Sequence, residues 1–492
     1  MTTVPTTATS VGVTLHGSGQ VSFGLPFPVG KLQDPTLIRV LVNGAEVAAF
    51  VKSLARYSDG SLRAALIQFD GTAGGALIDW SAPRTQMRAE RPAAWINVTD
   101  PLVGAVRDPA VYVTLPADYL CNTGLRTPCL KLGNNALDEG FANFARTAIN
   151  EVSDPGFNVT MPYAASSGYV SLSTEEPWLF DRALTFFALY AKSGDVKWLR
   201  NGHRHAQRYA ALVNSIGIFS LSSYDHDLKY SYAWSAFVDY QLTGDSSLLA
   251  VIDRVAQAGA REWQTGYSTS LGFWTERHHT YALLSAVLHY EATGSAQSLS
   301  YARGLMDTLV SMSNNSAKCP LHTIEQHEGD AGDARMMCSP WMTAMLAEAV
   351  YRYWMTTADQ RAVTWIAGLG DYLVNHAMYD GGLETAELAG RKLTWYLAGA
   401  GVRIEDQRGW GDLEHACDSA GLAARAAWAK GKLGQDVTAT RNAAMSLMET
   451  CSFALGYWTR TTTTLPKYRV NPPRKFNWWF GSTSDYSSLM AN

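Results

Sequence analysis

The sequence lacks the features that mark several large classes of protein. Its 492 residues contain no apolar run approaching the roughly 18 residues of a membrane span. Forty lysines and arginines stand against 44 acidic residues, so the net charge is -4 and no basic surplus exists to attract nucleic acid or an anionic membrane. We therefore expect neither a nucleic-acid nor a membrane partner, and the sequence leaves the oligomeric state open.

Secretion and redox signals are also scarce. The opening segment MTTVPTTATSVGVT lacks the charged and apolar regions of a signal peptide, which favours a cytoplasmic protein or one carried on a phage virion. The chain has six cysteines and no CxxC pair, so zinc-knuckle and redox functions are not expected. Cys121 and Cys129 are close enough to bridge a loop, but we expect unpaired thiols.

Motifs for metal, nucleophilic and phosphate chemistry are missing too. The sequence contains no HExxH, no GxSxG and no Gly-rich phosphate loop. His322 and His327 are not at helical chelating spacing, and the acidic DAGD segment with Asp330 and Asp333 lacks the EF-hand pattern. We therefore expect no cofactor and no metal site, with a divalent cation as the disfavoured alternative.

What the sequence does contain begins with a β-rich N-terminal region. Residues 1–125 hold short β-branched and aromatic runs, such as TLIRVLVNG and AVYVTL, broken by Gly, Pro, Asn and Asp. This pattern predicts a β-barrel or sandwich domain. The 16 tryptophans and 23 tyrosines of the chain are numerous, and aromatic faces are surfaces on which sugar rings stack.

A repeated helical hairpin follows. Tyr190, Tyr240 and Tyr290 recur at constant spacing, each in an apolar helix that leads through a short Gly-rich turn into a second helix. Tyr353 and Trp428 mark two later copies. Because one hairpin cannot bury its apolar faces alone, five or six copies predict an α/α toroid, with an open solenoid as the alternative. We expect the more apolar first helices to form the inner ring.

The predicted domains are therefore a β-rich domain, a toroid over 126–465 and a C-terminal tail over 466–492 that packs on the toroid. A weaker first hairpin is predicted within 137–152. The segments that enter the inner helices are long and polar, at 222–231, 272–281, 319–340 and 395–419. Because all these entries lie on one rim of a toroid, we expect the functional site there.

Residue types on this rim suit β-elimination of a uronic-acid-containing polysaccharide. That reaction needs a base for the proton α to the sugar carboxylate, a cation to neutralise the carboxylate and a proton donor for the leaving oxygen. The candidate catalytic residues are Tyr224, His226, Tyr230, Arg277, His278, His279, Tyr281, His327, Arg335 and Arg408. The candidate substrate-binding residues are Trp274, Glu325, Trp395, Arg403, Glu405, Trp410 and His415.

Two other functions remain open. Inverting glycoside hydrolysis would use two carboxylates, one as acid and one to activate water. The rim carboxylates for that role are Asp225, Asp227, Glu276, Glu325, Glu405, Asp406 and Asp412. The concentration of His and Arg beside Tyr favours the lyase. The third hypothesis is a glycan-binding or phage virion protein without catalysis.

The N-terminal region also resembles a known family. SFGLPFPVGKL (22–32) followed by YSDGSLRAALIQF (57–69) is similar to the RIFT-barrel-like domain of exo-rhamnogalacturonan-lyase-like proteins. The matching residues are Gly24, Leu25, Pro26, Tyr57, Asp59, Gly60 and Ser61. Tyr57 stands where the family usually has Trp.

The resemblance implies a β-domain followed by an α/α toroid, and a polysaccharide lyase acting on an acidic polysaccharide. It supplies no catalytic residue. We expect the motif itself to be structural, with Asp59 and Gly60 in a tight turn and Pro26 at an edge or bulge.

Overall fold

The N-terminal region is built from antiparallel β-sheets. The computed structural model describes residues 8–100, 103–132, 178–221, 228–263, 275–328, 332–399, 401–459 and 474–491. The N-terminal strands are β1 (Ser10–His16), β2 (Gly19–Pro26), β3 (Arg39–Val42), β4 (Ala45–Val47), β5 (Phe50–Arg56), β6 (Leu62–Gly71), β7 (Gly74–Asp79), β8 (Trp95–Asp100), β9 (Gly104–Pro109) and β10 (Tyr112–Thr114).

These strands form a five-stranded sheet in the order β10-β1-β7-β3-β4, a three-stranded sheet β2-β6-β5 and a two-stranded ribbon β8-β9. The β-rich N-terminal region is thus confirmed, whereas the specific RIFT barrel stays a prediction. The expected tight turn lies between β5 and β6, where the Tyr57 N–H donates to the Ser61 carbonyl and Gly60 has a φ of 84°. Asp59 accepts a hydrogen bond from the Ser61 hydroxyl and holds this turn.

The remainder of the described chain is mainly helical. Its helices are α1 (Ala117–Leu120), α2 (Arg182–Ser193), α3 (Val196–Leu212), α4 (Trp234–Thr243), α5 (Ser247–Glu262), α6 (Thr275–Thr293), α7 (Ala296–Met312), α8 (Ile324–Glu328), α9 (Pro340–Thr357), α10 (Gln360–Tyr372), α11 (Trp410–Glu414), α12 (Ala416–Lys432), α13 (Thr438–Thr459), α14 (Arg474–Thr483) and α15 (Tyr486–Ala491). Three short ribbons lie between them: β11 (His322–Thr323) with β12 (Met336–Met337), β13 (Met378–Asp380) with β14 (Lys392–Thr394), and β15 (Leu397–Gly399) with β16 (Val402–Ile404).

The predicted hairpins are confirmed. They pair α2 with α3, α4 with α5, α6 with α7, α9 with α10, and α12 with α13. Gly194, Gly244 and Gly294 follow their first helices with φ values of 70°, 72° and 74°, and each N–H donates to the carbonyl of the repeated tyrosine four residues earlier. The feature that repeats in the sequence is therefore the way in which the first helix of each hairpin ends.

The first helices form a closed inner ring. Helices α2, α4, α6, α9 and α12 contact one another in this order, and α14 contacts both α12 and α2. Their side chains are mostly buried, as expected for an inner ring. The toroid is thus confirmed over the open solenoid, and α14 supplies its sixth inner helix. The weaker hairpin predicted within 137–152 lies outside the described residues.

The ring has two different ends. At its base end, where the first helices finish, it packs on the β-domain: the Tyr190 hydroxyl accepts from the Leu115 N–H and the Tyr240 hydroxyl donates to the Leu54 carbonyl, each at 3.0 Å. The inner helices begin at the opposite end, which we call the rim end. A membrane-crossing helix is not found in the described part of the chain.

The cysteines correct one expectation. They form three disulfides, Cys121–Cys129, Cys319–Cys338 and Cys417–Cys451. The prediction of unpaired thiols was wrong because two of the three pairs join cysteines that are far apart in sequence and meet only through the packing of hairpins and loops. The nearest pair in sequence, which seemed able to bridge a loop, does so.

Candidate functional site

A cluster of aromatic rings surrounds one arginine at the rim end. We define this rim cluster as Phe180, Arg277, Trp341, His415 and Trp478. The Arg277 guanidinium lies 5.1 Å from the Phe180 ring centre and 5.3 Å from that of Trp341. Trp341 stacks on His415 at 4.6 Å, and Phe180 stacks on Trp478 at 4.9 Å. Residues near the starts of four different inner helices thus meet at one place.

A cavity continues from this cluster along the toroid axis. Protein atoms leave about 690 Å³ unfilled there, a space that includes open solvent, and about 70 Å³ of it can hold the centre of a water molecule. Phe180, Trp478 and Tyr281 line it on the rim side, while the Arg126–Glu348 ion pair, 2.6 Å between Nη2 and Oε1, lines it on the base side. All six inner helices begin on the rim side, so their N-termini add a positive potential there.

Arg277 and Tyr281 lie one turn apart on the same face of α6. Both are nearly buried, at 5% and 7% exposure. Burial raises the pKa of Tyr281, and the neighbouring charge of Arg277 opposes that rise. The pair therefore places a cation beside a hydroxyl that keeps its proton at neutral pH.

His415 lies beside a buried acid. It follows the short helix α11, and its Nδ1 lies 3.5 Å from Oδ2 of Asp418, one turn into α12. Burial raises the pKa of Asp418, although the Ser482 hydroxyl donates to its other oxygen. An imidazole paired with an acid and packed between Trp341 and Trp478 has the arrangement of a general base.

Asp181 ties two inner helices together at the cavity. Its two carboxylate oxygens accept the N–H groups of Leu184 at 3.2 Å and Ser235 at 3.1 Å, which lie at the starts of α2 and α4. Burial raises its pKa to about 6. Phe180 and Asp181 both have positive φ, 67° and 52°, and consecutive strained residues of this kind are concentrated at functional sites.

A second buried cluster lies behind Arg277. Oε2 of Glu276 is 3.4 Å from Nε2 of His322 and 3.4 Å from Nδ1 of His327, and these two nitrogens are 3.3 Å apart. The Thr275 hydroxyl donates to Oε2 at 2.6 Å. Although burial alone raises the pKa of Glu276, the two imidazoles and the Ser339 N–H outweigh it and hold that pKa at about 2. These three side chains are the ones in the described chain that could hold a metal ion.

The structure separates other predicted bases from the rim cluster. His278 and His279 face Trp263 at the end of α5, with ring centres 5.9 and 5.8 Å away. Burial lowers the pKa of His279 to about 3. Tyr230 lies against Phe219, and its carbonyl accepts from the Tyr209 hydroxyl. Among the predicted catalytic residues in the described chain, Tyr281 lines the axial cavity, whereas Arg277, Tyr230, His278 and His279 do not.

Three predicted arginines lie on the surface instead. Arg335 is exposed and paired with Asp333 at 2.6 Å, and Arg403 and Arg408 are exposed as well. Glu325 is half-buried on α8. Of the residues predicted for the site, the structure thus brings Arg277, Tyr281 and His415 together around the axis.

A separate acidic group gathers in the last rim loop. Asp412 accepts the Tyr379 hydroxyl at 2.6 Å, and Trp395 stacks on Tyr379 at 3.8 Å. Burial, with the charges of Asp406 and Glu405, raises the pKa of Asp412 to about 8. The last predicted residue of this loop, Trp410, packs instead on a tyrosine of α13, 4.9 Å between ring centres.

Several predicted residues lie outside the described residues. They are Tyr224, Asp225, His226, Asp227, Trp274 and Asp330.

Sequence reasoning missed several members of the site. Each missed residue stands within three residues of an inner-helix start or inside an inner helix. These residues are Asp181, Trp341, Asp418, Trp478 and Tyr232, the last of which lines the axial cavity. Asp181 carries a recognisable signal, because an acid directly before a helix is a common N-cap. The other residues carry no such signal, because the sequence does not distinguish them from ordinary core residues.

The chain was compared with known proteins. Neither a family model nor a curated protein matches it. A variant of the unsaturated glucuronyl hydrolase of Streptococcus agalactiae is similar over 72% of this chain and 93% of its own, at 13% identity and a TM-score of 0.48. An inactive variant of an α-1,6-mannanase of Salegentibacter sp. gives 12% identity, 72% and 100% coverage and a TM-score of 0.44.

A cellobiose 2-epimerase of Bacillus thermoamylovorans is similar over 71% of this chain and 99% of its own, at 10% identity and a TM-score of 0.43. Similarities this distant do not assign the chain a family, an activity or a substrate.

Proposed function

We propose that the protein is a polysaccharide lyase that cleaves a uronic-acid-containing polysaccharide by β-elimination at the rim end of the toroid. The observation that carries this proposal is the contact of Arg277 and His415 with the same ring, Trp341, one helical turn from Tyr281 on the wall of the axial cavity. A cation, a protonated hydroxyl and an imidazole are the three groups that β-elimination needs.

Each group has one role in the proposed reaction. Arg277 binds the sugar carboxylate, which makes the proton on the neighbouring carbon more acidic. His415 takes that proton, and the released electron pair forms a carbon–carbon double bond while the bond to the glycosidic oxygen breaks. Tyr281 gives its proton to that oxygen, and the N-termini of the inner helices further favour the anionic substrate.

The proposed site is a blind pocket, which favours attack at a chain end. On the base side the Arg126–Glu348 pair lies across the axis, and behind it Arg352 donates to Glu291 at 2.6 Å. The β-domain packs against this end through Arg63, 3.0 Å from Glu291. Because a polysaccharide cannot pass through a closed floor, we infer that the enzyme removes units from a chain terminus.

We further propose that the protein acts in an oxidising compartment or outside a cell. Three disulfides support this proposal over a cytoplasmic location, since such bonds persist where thiols are not kept reduced. Titration of thiols in the unfolded protein, isolated without reductant, should find none. Six titratable thiols would contradict this location.

The direct test is ultraviolet absorbance during incubation with a panel of uronate-containing polysaccharides. Elimination creates a double bond conjugated to the carboxylate, so absorbance should rise with wild-type protein and with His289→Gln, a half-buried histidine that bonds to Ser298 on the outer side of α6. His415→Gln should abolish the rise while the protein stays folded. A flat wild-type trace with new reducing ends, or with neither product, would contradict the lyase.

A second candidate function is inverting hydrolysis at the acidic group of the last rim loop. The observation that favours it is the pKa of Asp412, about 8, because a hydrolase needs one carboxyl that keeps its proton at neutral pH. In that mechanism Asp406 or Glu405 would activate water. Asp412→Asn should then abolish the release of reducing ends, whereas it should leave elimination by the lyase unchanged.

The same substitution has a pH signature that is independent of activity. The pKa of Asp412 is raised from 3.8 to about 8, so between these values the folded protein holds a proton that the unfolded chain has lost. The free energy of unfolding therefore falls as pH rises through this window, and Asp412→Asn should flatten that slope. Urea denaturation at several pH values measures it.

A further inference from the structure

We propose that Glu276, His322 and His327 bind a divalent first-row transition metal, for which zinc is the best match, in a buried site beside Arg277. The sequence favoured no metal because two histidines five residues apart do not share a helix face. The structure brings them together with a carboxylate from another element, the start of α6.

The distances between the donor atoms match a tetrahedral site. Zinc binds imidazole nitrogen and carboxylate oxygen at about 2.0–2.1 Å, so two ligands on a tetrahedron are about 3.3 Å apart. The three separations among Oε2 of Glu276, Nε2 of His322 and Nδ1 of His327 are 3.4, 3.4 and 3.3 Å. The donors thus already occupy three vertices around a position for one ion.

The chemistry of the donors selects the class of cation. Two imidazole nitrogens and one carboxylate suit zinc and its neighbours, whereas calcium and magnesium prefer oxygen ligands alone. The residues are fully buried or nearly so, at 0%, 1% and 0% exposure for Glu276, His322 and His327. The Thr275 hydroxyl lies 3.0 Å from both imidazole nitrogens and 2.6 Å from Oε2 of Glu276, so it covers one face of the donor triangle and the ion would lie on the other face.

Groups around the cluster orient two of the ligands. Nδ1 of His322 is 2.9 Å from the Pro320 carbonyl, which can only accept, so Nδ1 carries the proton and Nε2 directs its lone pair at the cluster. The Ser339 N–H donates to Oε1 of Glu276 at 2.8 Å, which leaves Oε2 for the metal. Partners of this kind are typical of metal-binding histidines and carboxylates.

The loop that carries His322 and His327 is held in place before the ion binds. The Cys319–Cys338 disulfide closes it, and His322 pairs with Met337 in the β11–β12 ribbon. The proposed ion would therefore link this loop to the first turn of α6, which carries Arg277. Its role would be to fix the rim cluster from behind rather than to touch substrate.

Metal analysis tests the site directly. Protein produced in zinc-supplemented medium and dialysed against metal-free buffer should hold one equivalent of zinc by mass spectrometry. Glu276→Gln and His322→Gln should each retain less than a tenth of that amount. His279→Gln is the matched control, because His279 is fully buried on the same helix and outside the cluster, and it should keep its zinc.

A second measurement uses wild-type protein, so it tests the site even if the variants do not fold. Wild-type protein stripped with chelator should take zinc from a chromogenic indicator at a ratio of one to one, and its melting temperature should rise on binding. X-ray absorption should show nitrogen or oxygen ligands at about 2.0–2.1 Å and no sulfur. No uptake by the stripped protein, sulfur ligation, or equal loss of zinc in His279→Gln would overturn the proposal.

Discussion

The two ends of the toroid each bury an arginine, in different surroundings. At the base end Arg352 lies over aromatic rings and also meets a carboxylate: it donates to Glu291 at 3.1 and 2.6 Å and to the Gly124 carbonyl at 2.9 Å. At the rim end the Arg277 guanidinium lies against the ring faces of Phe180 and Trp341, and its charge acts on Tyr281.

The different surroundings of the two arginines correspond to different roles for the two ends of the ring. A carboxylate neutralises a buried guanidinium and fixes it, as Glu291 does for Arg352, and aromatic faces attract a guanidinium through its positive charge. The base end therefore serves the docking of the β-domain, whereas in the proposed function the rim end supplies the cation that binds the substrate. Four predictions test this difference between the two ends.

The largest expected effect is on activity, at Arg277. Arg277→Gln should lower kcat/KM for elimination by about 10³-fold, near 4 kcal/mol of transition-state stabilisation, because the substrate carboxylate loses its neutralising charge. The melting temperature should change by only a few degrees. Absorbance kinetics and thermal unfolding measure the two effects.

Arg277→Lys sharpens this first prediction, since it keeps the charge and loses the planar contact with the rings. It should recover part of the activity lost in Arg277→Gln. Full activity in both variants would mean that another group neutralises the substrate, and the contrast between the two ends would fail.

The next effect is on stability, at Glu291. Glu291→Gln leaves Arg63 and Arg352 buried without their shared carboxylate, which should cost about 3–5 kcal/mol of unfolding free energy. The folded fraction should keep its kcat, because the site lies at the other end. Asp307→Asn, which removes an exposed partner of Arg361, should cost at most about 1 kcal/mol in the same urea titration. A Glu291 variant as stable as that control would refute the structural role of the base end.

The disulfides give a third comparison. Replacing either Cys121–Cys129 or Cys319–Cys338 by serines should cost about 2–4 kcal/mol, because each bond restricts the unfolded chain. Only the second replacement should also lower kcat/KM, by roughly tenfold, since that bond holds the loop packed behind Arg277. Equal kinetics in the two double variants would show that this loop does not position the rim cluster.

How much of this fold can be predicted from the sequence depends on whether each feature is determined by residues that are close together in the chain. The hairpin repeat was predictable because Gly194, Gly244 and Gly294 end their helices through local backbone geometry, which leaves a regular signal. The rim location of the proposed site rests on the lengths of the segments that enter the inner helices, and it stays a prediction.

The sequence did not predict which residues form the candidate site, because those residues come together only when the ring of inner helices closes. Trp478 joins the cavity only because α14 fills the gap between α12 and α2, and Glu276 meets His322 only across a disulfide-closed loop. His278 and His279 were predicted as catalytic residues from their place in a rim segment, but both rings face Trp263 at the end of α5 and neither belongs to the rim cluster.

The smallest expected effect concerns the N-terminal motif, where Gly24 meets the toroid. A Cβ at Gly24 would lie 2.0 Å from the Gln241 carbonyl oxygen on α4, so strand and helix would have to separate. Gly24→Ala should therefore cost about 1–3 kcal/mol, whereas Gly12→Ala, where nothing lies within 4 Å of the added atom, should change stability by less than about 0.5 kcal/mol. Urea midpoints measure both, and kcat should be unchanged because the contact lies at the base end. Equal midpoints for the two variants would mean that β2 does not pack on α4 as closely as the structure has it, and the base end would lose its role as the docking surface of the β-domain.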